Sequence, residues 1–166
     1  QARRHLPGEG LSAGPRLTQG PPSDSVPRAA WPAAATRFVA LRLPPGCDLR
    51  GALEQAFAAE PEQAGFVTAA VGSLTRATLR MAGQEHGTVI EDTLEIVALS
   101  GTFGPDGPHL HLAVSREDGC MAGGHVLHGC PVRTTAEIVL ALAAGVCFAR
   151  PVDPATGYRE LLPTPT

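Results

Sequence analysis

The order of hydrophobic and polar positions predicts a strand near residue 36, followed by a helix. Residues 36–43 (TRFVALRL) alternate between apolar and polar side chains, which is typical of a half-buried β-strand. After a Pro-Pro-Gly break, Asp48 is a suitable N-cap for a helix over residues 49–60. Leu53 and Phe57 belong to an apolar stripe at helical spacing, so this helix is expected to pack one face on a core.

The rest of the chain reads as strands separated by turns that contain glycine or proline. A Glu-Asp-Gly turn at residues 117–119 joins two of them as a hairpin. Residues 132–144 are ambiguous, because Ala and Leu favour a helix whereas Thr, Ile and Val favour a strand. The other expected strands are residues 66–74, 75–81, two runs within 91–103, 109–115, 120–127, 146–150 and 158–162. The pattern predicts one compact α+β domain, a mainly antiparallel sheet with one or two helices.

Composition divides the chain into an arm and a body. Residues 1–35 are rich in Pro, Gly and Ser and have no apolar period, which predicts a disordered arm. The folded domain is expected over residues 36–162, with a short tail at residues 163–166. All 13 basic residues are arginines. The arm contains four arginines and two acidic residues. Residues 36–166 contain nine arginines and fourteen acidic residues, which gives this part a net charge of −5. An acidic body is a poor match for the phosphates of duplex DNA, so nucleic-acid binding is expected to be weak or absent.

The four cysteines and the hydropathy pattern indicate the cellular compartment in which the protein is expected. No two cysteines are spaced as CxxC, and no signal peptide is evident, so we expect free, mostly buried thiols in a reducing, cytoplasmic compartment. The longest apolar run, residues 136–149, is interrupted by Glu137 and Gly145 and is too short for a membrane span. We therefore expect no membrane association.

Three histidines form the most informative pattern in the sequence. His109 and His111 are separated by one residue on an expected strand, so both side chains leave the same face. His125 lies on the next strand across the tight turn and can face the same pair. Three imidazoles from two neighbouring strands match an open site for zinc or another divalent transition metal. The alternative is that they are ordinary strand histidines with local hydrogen bonds.

Several segments together resemble the plants and prokaryotes conserved (PPC) domain family. The motifs in this sequence are residues 95–101 (EIVALSG), 108–112 (PHLHL), 123–127 (GGHVL), 132–137 (VRTTAE), 148–150 (FAR) and 153–161 (DPATGYREL). The resemblance covers roughly residues 36–162, and its specificity comes from the order and spacing of several motifs. It favours a strand for the ambiguous segment that begins at Val132.

The resemblance implies a compact α+β fold around an antiparallel sheet and assembly as a homotrimer. Plant members follow an AT-hook in nuclear DNA-binding proteins, whereas this sequence resembles the stand-alone prokaryotic members. It lacks the hook and keeps three histidines that plant members replace. The architecture is also similar to that of acetolactate decarboxylase, whose zinc is held by a comparable HxH…H set. By analogy, this favours a metal on His109, His111 and His125.

Three functions remain open at this stage, and whether the protein is an enzyme is not decided. The first is a trimeric metal-binding protein acting as a metal-dependent lyase or hydrolase on a small molecule. Here Glu95 is the candidate proton-handling residue, or else an outward-facing strand residue. Arg133 and Glu137 are candidates for orienting the substrate, or else form a structural ion pair. The second is a DNA-associated regulatory or scaffold protein that uses the domain for oligomerisation, and the third is a small-molecule binding module without chemistry.

Overall fold

The computed structural model describes residues 27–166, and the first 26 residues of the expected disordered arm lie outside the described residues. Within residues 27–166 the chain forms one α-helix, one turn of 3-10 helix at Ala33–Ala35, and eight strands. The helix α1 spans Leu49–Ala58. The strands are β1 (Thr36–Leu43), β2 (Gly65–Arg80), β3 (Thr88–Phe103), β4 (His109–Ser115), β5 (Met121–Val126), β6 (Val132–Ala143), β7 (Val146–Ala149) and β8 (Leu162–Pro165). The α+β class with one helix and a mainly antiparallel sheet is confirmed.

Six strands form one antiparallel sheet in the order β1-β6-β2-β3-β4-β5. Strand β5 also pairs with the end of β2, where Leu79 faces Val126 and Arg80 faces His125. This second pairing curls the sheet, so that strands β2 to β5 close on themselves around buried leucine, isoleucine and valine side chains. The closure brings the C-terminal end of β2 beside the histidine-bearing strands.

The expectation of two separate strands at residues 66–74 and 75–81 was wrong, because β2 runs unbroken through both. Gly72 has φ +147°, and a Cβ there would lie 2.3 Å from the Thr135 carbonyl oxygen of β6. The pairing registers shift on both sides of Leu74, so the strand bends by irregular pairing without ending. Strand β3 likewise joins the two runs expected within residues 91–103, with a register irregularity between Ile96 and Ala98.

The ambiguous segment at residues 132–144 is strand β6. It lies between β1 and β2 and pairs with both. Its second half is almost continuously buried, from Ile138 to Ala143. A strand covered on both faces loses the alternation that identifies a strand in sequence, which explains why Ala and Leu there resembled a helix.

The C-terminal residues differ from the expectation. The strand predicted at residues 158–162 begins only at Leu162, and residues 162–165, mostly assigned to the tail, form β8 against β7. Near the other end, Trp31 packs edge-on against Phe148 with ring centroids 5.8 Å apart. Trp31, which precedes β1, and Leu161, which precedes β8, therefore contribute to a small apolar cluster beside the main core.

Helix α1 covers the main core with its apolar stripe. Leu49 and Leu53 are fully buried, and Phe57 stacks on Phe103 at a centroid distance of 5.4 Å. Asp48 caps the helix by accepting a hydrogen bond from the Gly51 amide at 3.1 Å. The predicted cap, start and buried face of the helix are confirmed.

Two expectations from composition can be compared with the structure. All four cysteines are free thiols, as expected, but Cys130 alone among them is buried, so the expectation that most are buried was wrong. Within the described residues, no helix is long and apolar enough to cross a membrane.

Candidate metal centre

Strands β4 and β5 bring the three predicted histidines together. Leu110 and Leu112 point into the core, so the alternating positions His109 and His111 point outward from the same face of β4. His125 on β5 is the direct register partner of His111. The β4–β5 hairpin therefore places the three histidines in one cluster on two paired strands.

The geometry of this histidine triad is compact. The ring centroids lie 4.6–5.0 Å apart. The Nε2 atoms of His109 and His111 are 3.2 Å apart, and one ring nitrogen from each of the three lies within 4.8 Å of the other two. In the described part of the chain, this is the cluster of histidine, cysteine and acidic side chains with the geometry to hold a metal ion.

Two glycines allow the backbone to approach closely behind the triad. A Cβ at Gly124, next to His125, would lie 2.7 Å from the Arg80 carbonyl oxygen of β2. A Cβ at Gly101 would lie 2.0 Å from the His109 carbonyl oxygen, and Gly101 has φ +144°. Only glycine fits at these two positions. It allows β5 to lie close to β2, and β3 to lie close to β4, beside the triad.

The surroundings of the triad favour neutral imidazoles. Burial, then the positive charge of Arg150, and then the neighbouring imidazoles and Arg80 lower the pKa of His109 from 6.5 to about 4. Burial, followed by the charges of Arg80 and His111, also lowers the pKa of His125. A neutral imidazole nitrogen carries the lone pair that a metal needs, so these two rings are in the ligand form at neutral pH.

The donor set fits a tetrahedral zinc ion. Zinc binds imidazole nitrogen at about 2.0–2.1 Å, which separates two tetrahedral ligand atoms by about 3.3 Å. The distance of 3.2 Å between the Nε2 atoms of His109 and His111 is close to that separation. The third ring, that of His125, also offers a nitrogen within 4.8 Å of the other two. Three imidazoles leave one position open, which is the arrangement of catalytic zinc.

Two of the three histidines, His109 and His111, line a cleft of about 310 Å³. Residues 100–102 of β3 line it as well. Arg150, Glu160 and Leu161 complete its lining. A cleft of this volume is at the lower end of the range for small-molecule sites, about 300–1,000 Å³.

The sequence profile of the Plants and Prokaryotes Conserved (PCC) domain matches residues 32–143, more than half of the chain. This chain belongs to the PCC domain family. The family is the one that the sequence motifs resembled, and the resemblance is therefore confirmed.

Relatives of this PCC domain include much longer proteins. The chain is 52% identical over 130 residues to the bifunctional protein GlmU of Synechococcus sp. strain JA-3-3Ab, which covers 78% of this chain and 21% of that protein. The chain thus spans about a fifth of the length of the curated relatives that it matches.

Solved structures share the fold. A hypothetical protein from Salmonella enterica matches with TM-score 0.76 and 41% identity, covering 78% of this chain and 94% of that one. A metal-containing protein from Archaeoglobus fulgidus matches with TM-score 0.65 and 27% identity, covering 76% and 93%. A Bacteroides thetaiotaomicron protein, whose description suggests DNA binding, matches with TM-score 0.65 and 18% identity over 79% and 94%, which shows the fold alone.

The structure does not bring the other predicted site residues to the triad of the PCC domain. Glu95 is exposed and pairs with Ser115, four residues beyond His111 and therefore about 13 Å away along the strand. Arg133 and Glu137 are exposed on β6, three strands from β4, a separation of about 14 Å. No ion pair joins these two within residues 27–166. Their roles in a reaction stay predictions.

Three residues near the triad were not selected from the sequence. Arg150 and Glu160 line the cleft, and Arg80 is the register partner of His125. Arg150 and Glu160 belong to segments that carried the family resemblance, so the motifs contained this signal. Arg80 reaches the site only through the second pairing of β2 with β5, which hydrophobic periodicity does not reveal.

Proposed function

We propose that this PCC domain binds a divalent transition metal, zinc in the first place, on His109, His111 and His125. The observation that carries the proposal is the convergence of three imidazole nitrogens from β4 and β5, with His109 and His111 lining a cleft. The description of the Archaeoglobus relative as metal-containing supports it. The reaction that we propose is a metal-dependent lyase or hydrolase reaction on a small molecule held in that cleft.

A bound zinc would supply Lewis acidity, either to polarise a carbonyl group or to bring the pKa of a bound water to about 7. The residues of the chain supply position and proton handling. Glu160 lines the same cleft as the triad and is a better placed acid or base than Glu95. The Glu160 carboxylate is held by the Thr156 hydroxyl, which donates to it at 3.3 Å, and the side chain is partly buried.

The assembly and location in this proposal rest on the resemblance and on composition. We propose a homotrimer, as the family resemblance implies. We also propose a reducing, cytoplasmic location, which four free thiols support.

Metal analysis of protein purified without an affinity tag tests the proposed site. We expect about one zinc per chain after equilibration with zinc and dialysis, and we expect His111→Gln to lose it. His86→Gln is the matched control, because His86 is exposed in a loop outside the triad. Absence of stoichiometric metal from the unsubstituted protein would contradict the proposal, as would equal zinc content in His111→Gln.

A DNA-associated scaffold is the alternative function. It draws on the description of the Bacteroides relative. Among residues 36–166 the net charge is −5, so we expect no retardation of a DNA duplex by this protein in a gel-shift assay at physiological salt. Retardation that disappears on deletion of residues 1–26 would support the alternative.

A further inference from the structure

Arginines of the folded body divide into two groups by their partners. Five of the nine within residues 36–166 form an ion pair with a carboxylate, namely Arg37, Arg50, Arg76, Arg116 and Arg159. Within the described residues, Arg42, Arg80, Arg133 and Arg150 have no acidic partner within 4.0 Å. Two of these four, Arg80 and Arg150, lie at the histidine triad.

Arg80 and Arg150 both lie near the histidine triad. Arg150 lines the cleft with His109 and His111, and Arg80 faces His125 across the pairing of β2 with β5. The charges of both arginines reach His109 and His125. The charged side chains that line the cleft beside the histidines are those of Arg150 and Glu160. Among the described residues no ion pair joins these two, so the Arg150 guanidinium remains available to attract a small anion.

Arg150 is held in position without being neutralised. Its Nη2 donates to the Arg159 carbonyl oxygen at 2.7 Å, and its backbone amide donates to Asp106 Oδ2 at 2.8 Å. Asp106 itself is paired with the guanidinium of Arg159, not with that of Arg150. A guanidinium has five N–H donors, so most of those on Arg150 remain for a ligand. The planar arrangement of these donors matches a carboxylate with two parallel hydrogen bonds.

The dimensions of the cleft limit the size of that ligand. A volume of about 310 Å³ accommodates about ten non-hydrogen atoms at roughly 30 Å³ each. Arg150 lines this cleft together with His109 and His111. A short molecule can therefore contact Arg150 with one end while an oxygen at its other end faces these two histidines.

We infer that the cleft binds a small organic acid, with its carboxylate on Arg150 and a hydroxyl or carbonyl oxygen on the adjacent carbon directed to His109 and His111. This inference rests on the proposed function and adds the substrate class to it. Arg150 is the specificity-determining residue, and Arg80 adds charge from the other side of the triad.

Calorimetric titration of the zinc-loaded full chain tests the inference. The probes are lactate and propane-1,2-diol, which have the same carbon skeleton and the same hydroxyl but differ in the carboxylate. Inorganic phosphate is the third probe, and 2-hydroxy acids of four to six carbons extend the series. We expect the acids to bind and the diol not to bind. We expect Arg150→Gln to weaken acid binding at least tenfold, and Arg80→Gln to weaken it less.

Arg42→Gln is the matched control, because Arg42 is an exposed arginine without an acidic partner on β1, at the far edge of the sheet. It should bind the acids as the unsubstituted protein does. Zinc content is measured on every sample, so that loss of zinc contradicts the proposed function and not the ligand class. With zinc present, the inference is overturned if no acid binds, if the diol binds equally well, if Arg150→Gln binds unchanged, or if phosphate alone binds.

Discussion

At the scale of single residues, Asp48 connects two parts of the chain that are distant in sequence. Its carboxylate accepts from the Gly51 amide at the start of α1 and from the amides of Gly129 and Cys130, at 2.9 and 2.7 Å. His128 contacts the same carboxylate at 3.1 Å. One side chain therefore caps the helix and holds the loop that follows the histidine-bearing β5.

Replacement of Asp48 by alanine should destabilise the protein strongly. Loss of a helix cap costs about 1 kcal/mol, and leaving amides such as those of Gly129 and Cys130 without a partner costs about 1–3 kcal/mol more. We expect a decrease of about 2–4 kcal/mol in the free energy of unfolding, measured by urea denaturation. Glu117→Ala, an exposed acidic residue in the hairpin turn, is the control and should change stability by less than about 0.5 kcal/mol. Equal midpoints for the two variants would contradict this role of Asp48.

The same carboxylate predicts a pH dependence of stability. Burial alone would raise the pKa of Asp48, but hydrogen bonds from Cys130, Gly51, His128 and Gly129 lower it below its ordinary value of 3.8. Because the folded-state pKa is lower than the unfolded one, the stabilisation is fully present above about pH 4 and is lost as the pH falls through the folded pKa. The stability difference between the unsubstituted protein and Asp48→Asn should therefore shrink as the pH falls below about 4. A difference that stays the same or grows over that acidic range would contradict the assignment.

At the scale of elements, the β4–β5 hairpin was predictable because its determinants are local. The alternation from His109 to Ser115 and the turn at residues 117–119 specify the strands, the turn and the face on which the histidines lie. The bend of β2 was not predictable in the same way, since it depends on close contact of Gly72 with β6, more than sixty residues later. Periodicity reports which face of a strand is buried but not which distant strand lies against it.

Gly101 offers a test of how one strand positions the triad. A Cβ at this position would lie 2.0 Å from the His109 carbonyl oxygen, and its φ of +144° is unfavourable for other residues. Gly101→Ala must therefore displace β4 or strain β3 at the height of His109. We expect a loss of at least about 2 kcal/mol in stability and a weaker affinity for zinc.

Gly119→Ala is the matched control for that variant. Gly119 also has a positive φ, +81°, but nothing lies within 4 Å of a Cβ built there. It should cost only the backbone strain of about 1 kcal/mol and leave zinc affinity unchanged. If both variants bind zinc as the unsubstituted protein does, the close approach at Gly101 does not position His109.

At the scale of the whole molecule, the site is assembled from segments that sequence reasoning treats separately. The histidines come from one hairpin, Arg80 from the end of β2, and Arg150 and Glu160 from the region around β7 and β8. The triad could be predicted because its members are close in sequence. Periodicity did not reveal that Arg150 and Glu160 line the cleft, because they reach it through the C-terminal segment, which pairs as β8 where a tail was expected.

The outer face of the sheet carries an apolar surface that bears on assembly. Val71 on β2 and Val97 on β3 are 59% and 51% exposed, and the pairing register of their neighbours places them opposite each other. Phe38 on the edge strand β1 is 65% exposed. Large apolar side chains grouped on one face are typical of interfaces between protein chains.

Assembly can therefore be tested on these valines. For the proposed homotrimer, sedimentation should give a mass three times the 17.1 kDa of one chain. Val71→Glu would place a charge beside Val97, and we expect it to shift the protein to monomer while circular dichroism shows the same strand content. Val152→Glu is the control, because Val152 is 61% exposed in the segment after β7, apart from the sheet face.

A monomeric unsubstituted protein contradicts the trimer, whereas a trimer that tolerates Val71→Glu assigns the interface to another face. In that case the histidine-bearing face becomes the next candidate, since a neighbouring chain there would complete the cleft.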